Sequence, residues 1–592
     1  MSESSRQRSA EFLQISSQFK LGALVTESSH PVTANLSEVA SQDIAAALGR
    51  LFQADGDVVA KYREFAHSGR AVSIAASVLQ ALRNGGKIFF TGCGSTGRLS
   101  ILLDSIWRNF WQQQKNSDWE NRTFSVMAGG DFALIKSVEG FEDFTAFGEK
   151  QIHDLGVSAR DVVFAITEGG ETSFVIGTAW AGVQVGAKVY FVYNNPDAIL
   201  CEHVQRSREV IAEARIEKIN LTTGPMSITG STRMQATSIQ LAVMLTILEM
   251  VARELTGRES AAVPETFLAQ LETLHQQLQT PAFLTALAKI VALEESVYRA
   301  GRKNNYFADQ FGADVLTDTT ERSPTYCTPP FRKFDDTTAT ESWAYLFLPE
   351  PDAASAWRSI LKRAPRCVEW TEAEIRALVS AEKFPRTLEI VRKISAAELR
   401  RFRIGVDGVP NRRLGPGDSA VVVLSQNEAA QFSAPENFLR TQLVAAQRAG
   451  ARTGIILFSE EKSLVQEPVA EMVFVPLPPT DLLLGGVTRL AVKLVMNALS
   501  TCTMVRLGRV MGNYMVWVVP SNLKLIDRAT RYITKLTGLD YAAANGLLFE
   551  IIEYVEPRMK ADQAYPPVVG MAVVRAKQGL SNEAAERFLQ TQ

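Results

Sequence analysis

The sequence is poor in the residues that usually announce a metal or a disulfide. Its five histidines end at His275, and its five cysteines, Cys93, Cys201, Cys327, Cys367 and Cys502, show no paired spacing. Neither a zinc site nor a disulfide framework is legible, and no metal or other cofactor is expected. Net charge is almost absent: 62 Lys and Arg against 64 Asp and Glu leave -2, which gives no electrostatic footprint for nucleic acid or an anionic membrane. An anionic ligand must therefore be held by local geometry. Met1 to Lys20 lacks the apolar centre of a signal peptide, and no run approaches the roughly 20 apolar residues of a membrane span. A cytoplasmic protein with no membrane or nucleic-acid partner is expected. At 592 residues, 46% hydrophobic and 21% charged, the composition is that of a folded globular chain too long for one core.

What is present is alternation. Lys87 to Thr91, Phe124 to Ala128, Asp161 to Thr167 and Lys188 to Tyr193 are short β-rich runs separated by segments of helical period, and the theme returns in Trp343 to Leu348, Ala420 to Ser425, Thr453 to Phe458 and Met472 to Val475. Glu436 to Gly450 reads as a helix between two of these. Strands alternating with helices imply parallel, doubly wound sheets, so the fold class is α/β with two such units. Residues repeat as well as pattern. Asp161-Val-Val-Phe-Ala-Ile-Thr167 matches Ser419-Ala-Val-Val-Val-Leu-Ser425, and Thr232-Arg233-Met234 matches Thr488-Arg489-Leu490, at offsets of 258 and 256 residues. Nearly equal offsets predict an internal duplication. The expected organisation is an N-terminal extension over 1–55, a first unit over 56–256, a polar helical linker over 257–280, a second unit over 281–515 and an all-α cap over 516–592. In that cap Asn522 to Tyr554 and Ser581 to Leu589 look helical.

The sharpest motif is Gly92-Cys93-Gly94-Ser95-Thr96-Gly97-Arg98, between a strand and a helical run. Glycines let the backbone approach an anion, and the free N–H groups at the helix start carry partial positive charge. Gly94, Ser95, Thr96 and Gly97 are the candidate phosphate contacts, against the plainer reading of a tight turn with no ligand. The turn lacks the Walker lysine and the spacing of a dinucleotide fingerprint. Thr222-Thr223-Gly224-Pro225 and Ile228-Thr229-Gly230-Ser231-Thr232-Arg233 form a second hydroxyl-rich approach to a helix; Ser231 and Thr232 are candidates there, or simply caps. In Thr167-Glu168-Gly169-Gly170-Glu171-Thr172-Ser173 the hydroxyls of Thr167 and Thr172 suit an anion while the two glutamates repel one, so either the glutamates point away or the loop serves another end. Val138-Glu139-Gly140-Phe141-Glu142-Asp143 and Asp318-Thr319-Thr320-Glu321-Arg322-Ser323-Pro324-Thr325-Tyr326 hold candidate acid-base carboxylates, for which a solvated surface is the common alternative.

Taken together these segments resemble the sugar-isomerase (SIS) domain family that contains N-acetylmuramic acid 6-phosphate etherase and the glucokinase regulatory protein. The blocks run from Leu24 to Pro31, Gly92 to Arg98, Ala128 to Gly130, Glu139 to Asp143, Asn194 to Pro196 and Thr229 to Met234, then Lys493 to Thr501, Leu507 to Val510 and Gly512 to Met515. The resemblance implies flavodoxin-like SIS domains paired as a pseudo-dimer with a helical cap, closest in architecture to the regulatory protein. It implies a phosphorylated sugar or amino sugar as ligand, a sugar kinase as the partner class, and a monomer completed internally. Two glutamates serve the etherase pattern. One falls on Glu142; the other falls on Ile106 in the first unit and on Glu321 in the second, so Glu142 as base and Glu321 as acid would meet across one cleft, with Lys493 supplying a cation. Gln235 stands for a lysine and Gly169 for a serine of that pattern. The degenerate Arg299 to Lys303 stretch predicts that one cleft survives. A sugar-phosphate sensor and a carbon-oxygen lyase both follow; an aldose-ketose isomerase fits less well, since those enzymes use other bases.

Overall fold

The computed structural model describes residues 3–16, 20–138, 140–462, 465, 469–520, 523–559 and 565–590. Glu139 and Asn522, both singled out above, lie outside the described residues. Two five-stranded sheets form the framework, every pairing within them parallel. The first holds β1 (Ile88–Gly92), β2 (Thr123–Met127), β3 (Val162–Ile166), β4 (Lys188–Tyr193) and β5 (Ile216–Asn220), in the order β2-β1-β3-β4-β5. The second holds β6 (Asn304–Phe307), β7 (Ala344–Phe347), β8 (Ser419–Ser425), β9 (Arg452–Ser459) and β10 (Glu471–Pro476), in the order β7-β6-β8-β9-β10. Counted along the chain both sheets read 2-1-3-4-5, the doubly wound flavodoxin-like order. The duplicated strand motif thus lands on β3 and β8, the third strand of each sheet. Val-Val-Phe-Ala-Ile and Ala-Val-Val-Val-Leu are buried on both faces, which is why they appear as unbroken apolar runs.

Two strands escape a reading by pattern. Edge strand β5 is Ile-Glu-Lys-Ile-Asn, half polar. Central β6 opens with two asparagines, both buried: Asn304 donates to Glu294 at 3.0 Å and accepts from Ser419 at 2.9 Å. Because β6 begins at Asn304, the second unit's counterpart of the Gly-rich turn is Ala308 to Phe311, beyond the strand, and not the Arg299 to Lys303 stretch before it.

Five helices position the site: α1 (Ser95–Gln113), α2 (Gln235–Leu255), α3 (Gly312–Tyr326), α4 (Gly486–Arg506) and α5 (Leu523–Thr537). Helices α1 and α3 follow the first strand of their sheets; α2 and α4, each 21 residues, follow the fifth. The halves dock as a pseudo-dimer, with α2 packed on α4 and α1 near α3. Helix α2 has the length and apolar character to cross a bilayer, contrary to the expectation that no run would, yet all of that stretch is buried inside the protein. A buried charge cluster fastens the halves: Arg363 reaches Asp104 at 3.0 Å and Asp131 at 2.6 Å, and Arg108 lies 2.8 Å from Asp104. The 257–280 stretch is largely the packed helix Val263–Gln277, whose Phe267 ring lies 4.9 Å from that of Tyr62. Near the C-terminus α5 is followed by Tyr541–Val555, Val568–Gln578 and Asn582–Gln590. Asp540 caps Tyr541–Val555, dividing what reads in sequence as one long helix.

Candidate functional site

Strand order reverses between β1 and β3, where loops leaving the carboxyl ends diverge and ligands of such sheets collect. After β1 the chain turns at Gly94, with φ +56°, a backbone that a side chain strains; a Cβ there would meet nothing within 4 Å, so the position faces open space. Gly92 and Gly97 are needed for contact instead: a Cβ would lie 2.3 Å from the Thr96 carbonyl carbon and 2.6 Å from Met127 Cγ. Thr96 holds the turn shut. Its hydroxyl accepts from Cys93 N and donates to Cys93 O, both at 3.0 Å. That leaves Ser95, the first residue of α1, as the hydroxyl free to serve a ligand.

Ser95 opens onto a cleft between the two halves, with about 480 Å³ of empty space partly open to solvent. Leu99, Leu102 and Leu241 form its apolar side; Arg233, Asp314, Asp318, Glu321, Lys493 and Asn497 form its polar side. The first half therefore gives the turn and Arg233, and the second gives Glu321, Lys493 and Asn497. Arg233 donates to Asp318 at 2.6 Å and to Ser500 at 3.0 Å, and its Nε lies 3.5 Å from Glu321. Among the described residues its Nε and its second terminal nitrogen find no hydrogen-bond partner, nor do Glu321 Oε1, Asn497 Oδ1 and Asp314 Oδ1, although all are buried. Orphaned groups of this kind cost about 1–3 kcal/mol each, so donors and acceptors crowded on one cleft mark a place for a polar ligand.

Lys493 Nζ donates to the Arg233 carbonyl and to Ser238 Oγ, both at 2.8 Å, and so joins α4 to α2. Burial pulls its pKa down to about 8 against the pull of Glu321 and Asp55. Asp55 is pushed up to about 7 by its own burial, opposed by Lys493.

The remaining candidates lie around the turn without lining that cleft. Glu142 reaches the turn at Cys93, with Oε2 3.6 Å from Cys93 Sγ. Its segment is held against the second half by Phe141, stacked 5.7 Å from Trp370. Thr167 and Thr172 bond each other at 3.1 Å in the loop after β3. Ser231 is buried and caps nothing: α2 starts after Met234, with no side-chain cap, and Thr232 offers only its carbonyl, to Thr237 at 2.8 Å. Asp318 is no surface carboxylate; besides Arg233 it takes Arg322 at 2.8 Å. The two glutamates of the β3 loop point inward. Glu171 pairs with Lys524 of α5, and Arg206 donates to its carbonyl; burial works against its charge, but Lys524 and Arg206 win and draw its pKa down to about 2. Glu27 is likewise held by Arg528 at 2.5 Å and Arg531 at 3.1 Å, and Tyr532 donates to the Thr229 carbonyl at 2.5 Å, so α5 braces both hydroxyl-rich loops.

Sequence reasoning gave no role to Arg233, Asn497 or Lys524. Arg233 lies inside a quoted block, yet its unpartnered nitrogens emerge only when the halves close. Ile106 is buried in α1, and Glu321 stands the same number of residues beyond β6 as Ile106 does beyond β1, so the two are topological counterparts.

Residues 70–181 match the family model for the glucokinase regulatory protein N-terminal SIS domain. The chain is 30% identical over 224 residues to N-acetylmuramic acid 6-phosphate etherase of Serratia proteamaculans (strain 568), covering 38% of this chain and 68% of that one. It is 30% identical over 225 residues to the protein of that name from Yersinia pestis (strain Pestoides F), covering 38% and 69%. Among solved structures, the C-terminal domain of glucosamine-fructose-6-phosphate aminotransferase from Francisella tularensis aligns with a TM-score of 0.42 and 11% identity over 77% of this chain and 94% of that one.

Proposed function

The chain belongs to the SIS-domain family of N-acetylmuramic acid 6-phosphate etherase and glucokinase regulatory protein, and from that premise we propose that it binds a phosphorylated sugar or amino sugar between its two halves and acts as a sensor of it. The observation that carries the reading is the set of buried, unpartnered atoms of Arg233, Glu321 and Asn497 on the cleft that begins at Ser95. Sugar hydroxyls both donate and accept, so a polyol answers guanidinium nitrogens and carboxylate or amide oxygens at once. The phosphate sits at the start of α1, on the N–H groups of the Gly94 to Gly97 turn and the Ser95 hydroxyl, with Thr167, Thr172, Ser231 and Thr232 around it. Glu321 holds hydroxyls on the cleft, Glu142 approaches the turn at Cys93, and Lys493 fixes the Arg233 backbone. A sugar kinase is the partner class that this reading names. The test is thermal: a hexose phosphate should raise the melting temperature, and Ser95→Ala together with Thr96→Ala should remove most of the rise. No rise with any hexose phosphate sinks the proposal.

A second reading is a lyase that eliminates lactate from N-acetylmuramate 6-phosphate, with Glu321 as acid and Glu142 as base. The two etherase relatives favour it. Against it, Glu142 does not line the cleft that holds Glu321, and Arg233 stands 3.5 Å from Glu321, an arrangement suited to receiving hydroxyls. Lactate released from that substrate and abolished by Glu321→Gln would establish the lyase; none at high protein concentration would exclude it.

A further inference from the structure

The cleft is walled by counterpart positions that have diverged between the halves. Leu99 stands as many residues beyond β1 as Asp314 does beyond β6, and the same holds for Leu102 and Thr317. Leu241 and Asn497 are separated by the 256 residues that part Arg233 from Arg489. All six line the cleft. At each of these pairs the first half presents leucine and the second a polar side chain, so a ligand between them meets an apolar wall on one side and a hydrogen-bonding wall on the other. The Thr317 hydroxyl is engaged already, with the Ala313 carbonyl at 2.9 Å. Asp314 is only half engaged. It is 6% exposed; its Oδ2 pairs with Arg489 of α4, while its Oδ1, equally buried, has no hydrogen-bond partner among the described residues and is the oxygen left for the cleft. Arg98 of α1 donates to Thr320 of α3 at 3.3 Å, so the start of α1 faces the later turns of α3. Asp314, six residues earlier, lies about 9 Å further along that helix, at the end of the cleft away from Ser95.

We propose that Asp314 is a specificity-determining residue of the cleft, its Oδ1 accepting a hydrogen bond from an O–H or N–H on the edge of the sugar remote from the phosphate. This rests on the reading of the cleft as a phosphosugar site with the anion at Ser95. In a hexose 6-phosphate so placed, the remote edge carries the groups on C1 and C2. A carboxylate oxygen can only accept, and the leucines opposite offer nothing that competes for the ligand's donor. A ligand lacking that donor would bury Oδ1 unpaired, and a site with a buried polar group left unpaired rejects an analogue far more strongly than an apolar wall does. The leucine wall admits many shapes; Asp314 demands one chemistry.

Calorimetric titration of the full chain with glucose 6-phosphate, 2-deoxyglucose 6-phosphate and 1,5-anhydroglucitol 6-phosphate reads the donor one hydroxyl at a time. At least one of the two deoxygenated probes should bind the unaltered chain about tenfold or more weakly than glucose 6-phosphate. In Asp314→Leu, which places the first half's residue in the second, that ratio should fall below about threefold, whatever the absolute affinity. Arg489 keeps the Gln310 carbonyl at 3.0 Å in that variant. Should it still fail to fold, Asp314→Leu combined with Arg489→Leu removes both charges together, an exchange that buried ion pairs tolerate, and the same collapse of the ratio is expected. A merely structural role for Asp314 would weaken all three probes alike and leave the ratio standing. Equal affinity of the three probes for the unaltered chain, or a ratio that survives the substitutions, overturns the proposal. Inorganic phosphate separates the two levels of the reading: phosphate bound as tightly as the sugars overturns the role of Asp314 and spares the anion site, whereas no binding of phosphate or of any hexose phosphate defeats the anion-site reading, and the role of Asp314 with it.

Discussion

The two sheets have the same strand order, yet their points of reversal are finished differently. In the first half the turn after β1 faces open space at Gly94 and leads into a cleft with unpartnered polar atoms. In the second half the same place is filled from within. Glu428 accepts from Ser425 N at 2.7 Å, Ser425 Oγ at 2.6 Å and, across the reversal, Gln310 N at 3.0 Å. Its carboxylate takes up the donors that a ligand's anion would need. Topology makes two candidate sites; side chains decide that one is open. The comparison holds only while the halves stay docked, and it can be broken at three levels.

The largest expected effect is on docking. Arg363→Ala takes from buried Asp131 the guanidinium it pairs with and leaves Asp104 to Arg108 and Arg366, and removing one partner from a buried cluster costs about 3–5 kcal/mol; urea midpoints compared at constant slope would read it, and a change below about 1 kcal/mol would show that the cluster does not fasten the halves. The cluster also sets an acid limit. Burial opposes the charge of Asp104, but Arg363, Arg108 and Arg366 prevail and draw its pKa down from 3.8 to about 2. A lowered folded pKa gives stability that is full above the unfolded value and is lost as pH falls through the folded one. About 2 kcal/mol should therefore disappear between pH 4 and pH 2, and Asp104→Asn should flatten that slope.

Next in size is the open site. Arg233→Leu removes the two unpartnered nitrogens and should weaken hexose phosphate binding by roughly 10- to 100-fold, about 1.4–2.7 kcal/mol, with Asp318 still paired to Arg322; unchanged affinity would move the ligand elsewhere. Smallest is the closed site. Glu428→Ala should cost about 1 kcal/mol through loss of a capping box and one long-range bond and leave phosphosugar affinity as it was. A fall in affinity would mean that the second reversal point binds ligand too.

Much of this plan is legible in the residues. Strands β3 and β8 are apolar runs, and their shared spacing with Arg233 and Arg489 exposes the duplication. Strands β5 and β6 are not legible, because Glu217 and Lys218 on the edge pair with neighbours and Asn304 and Asn305 are bonded in the interior, so neither strand needs an apolar face. The turn at Gly94 to Gly97 is visible in sequence, since steric demand dictates glycine. The polar wall of the cleft is not, because Arg233 and Asn497 become ligand-facing only when distant segments meet, and Lys524 is identified only by the carboxylate it reaches.

Ile106 and Glu321 occupy counterpart places, one inert and one charged. In an assembly of identical subunits every substitution appears twice, so such a place must be glutamate in both copies or in neither. Joining the halves in one polypeptide lifts that constraint: each can lose what the other retains, and inheritance as one gene keeps the complementary pair together.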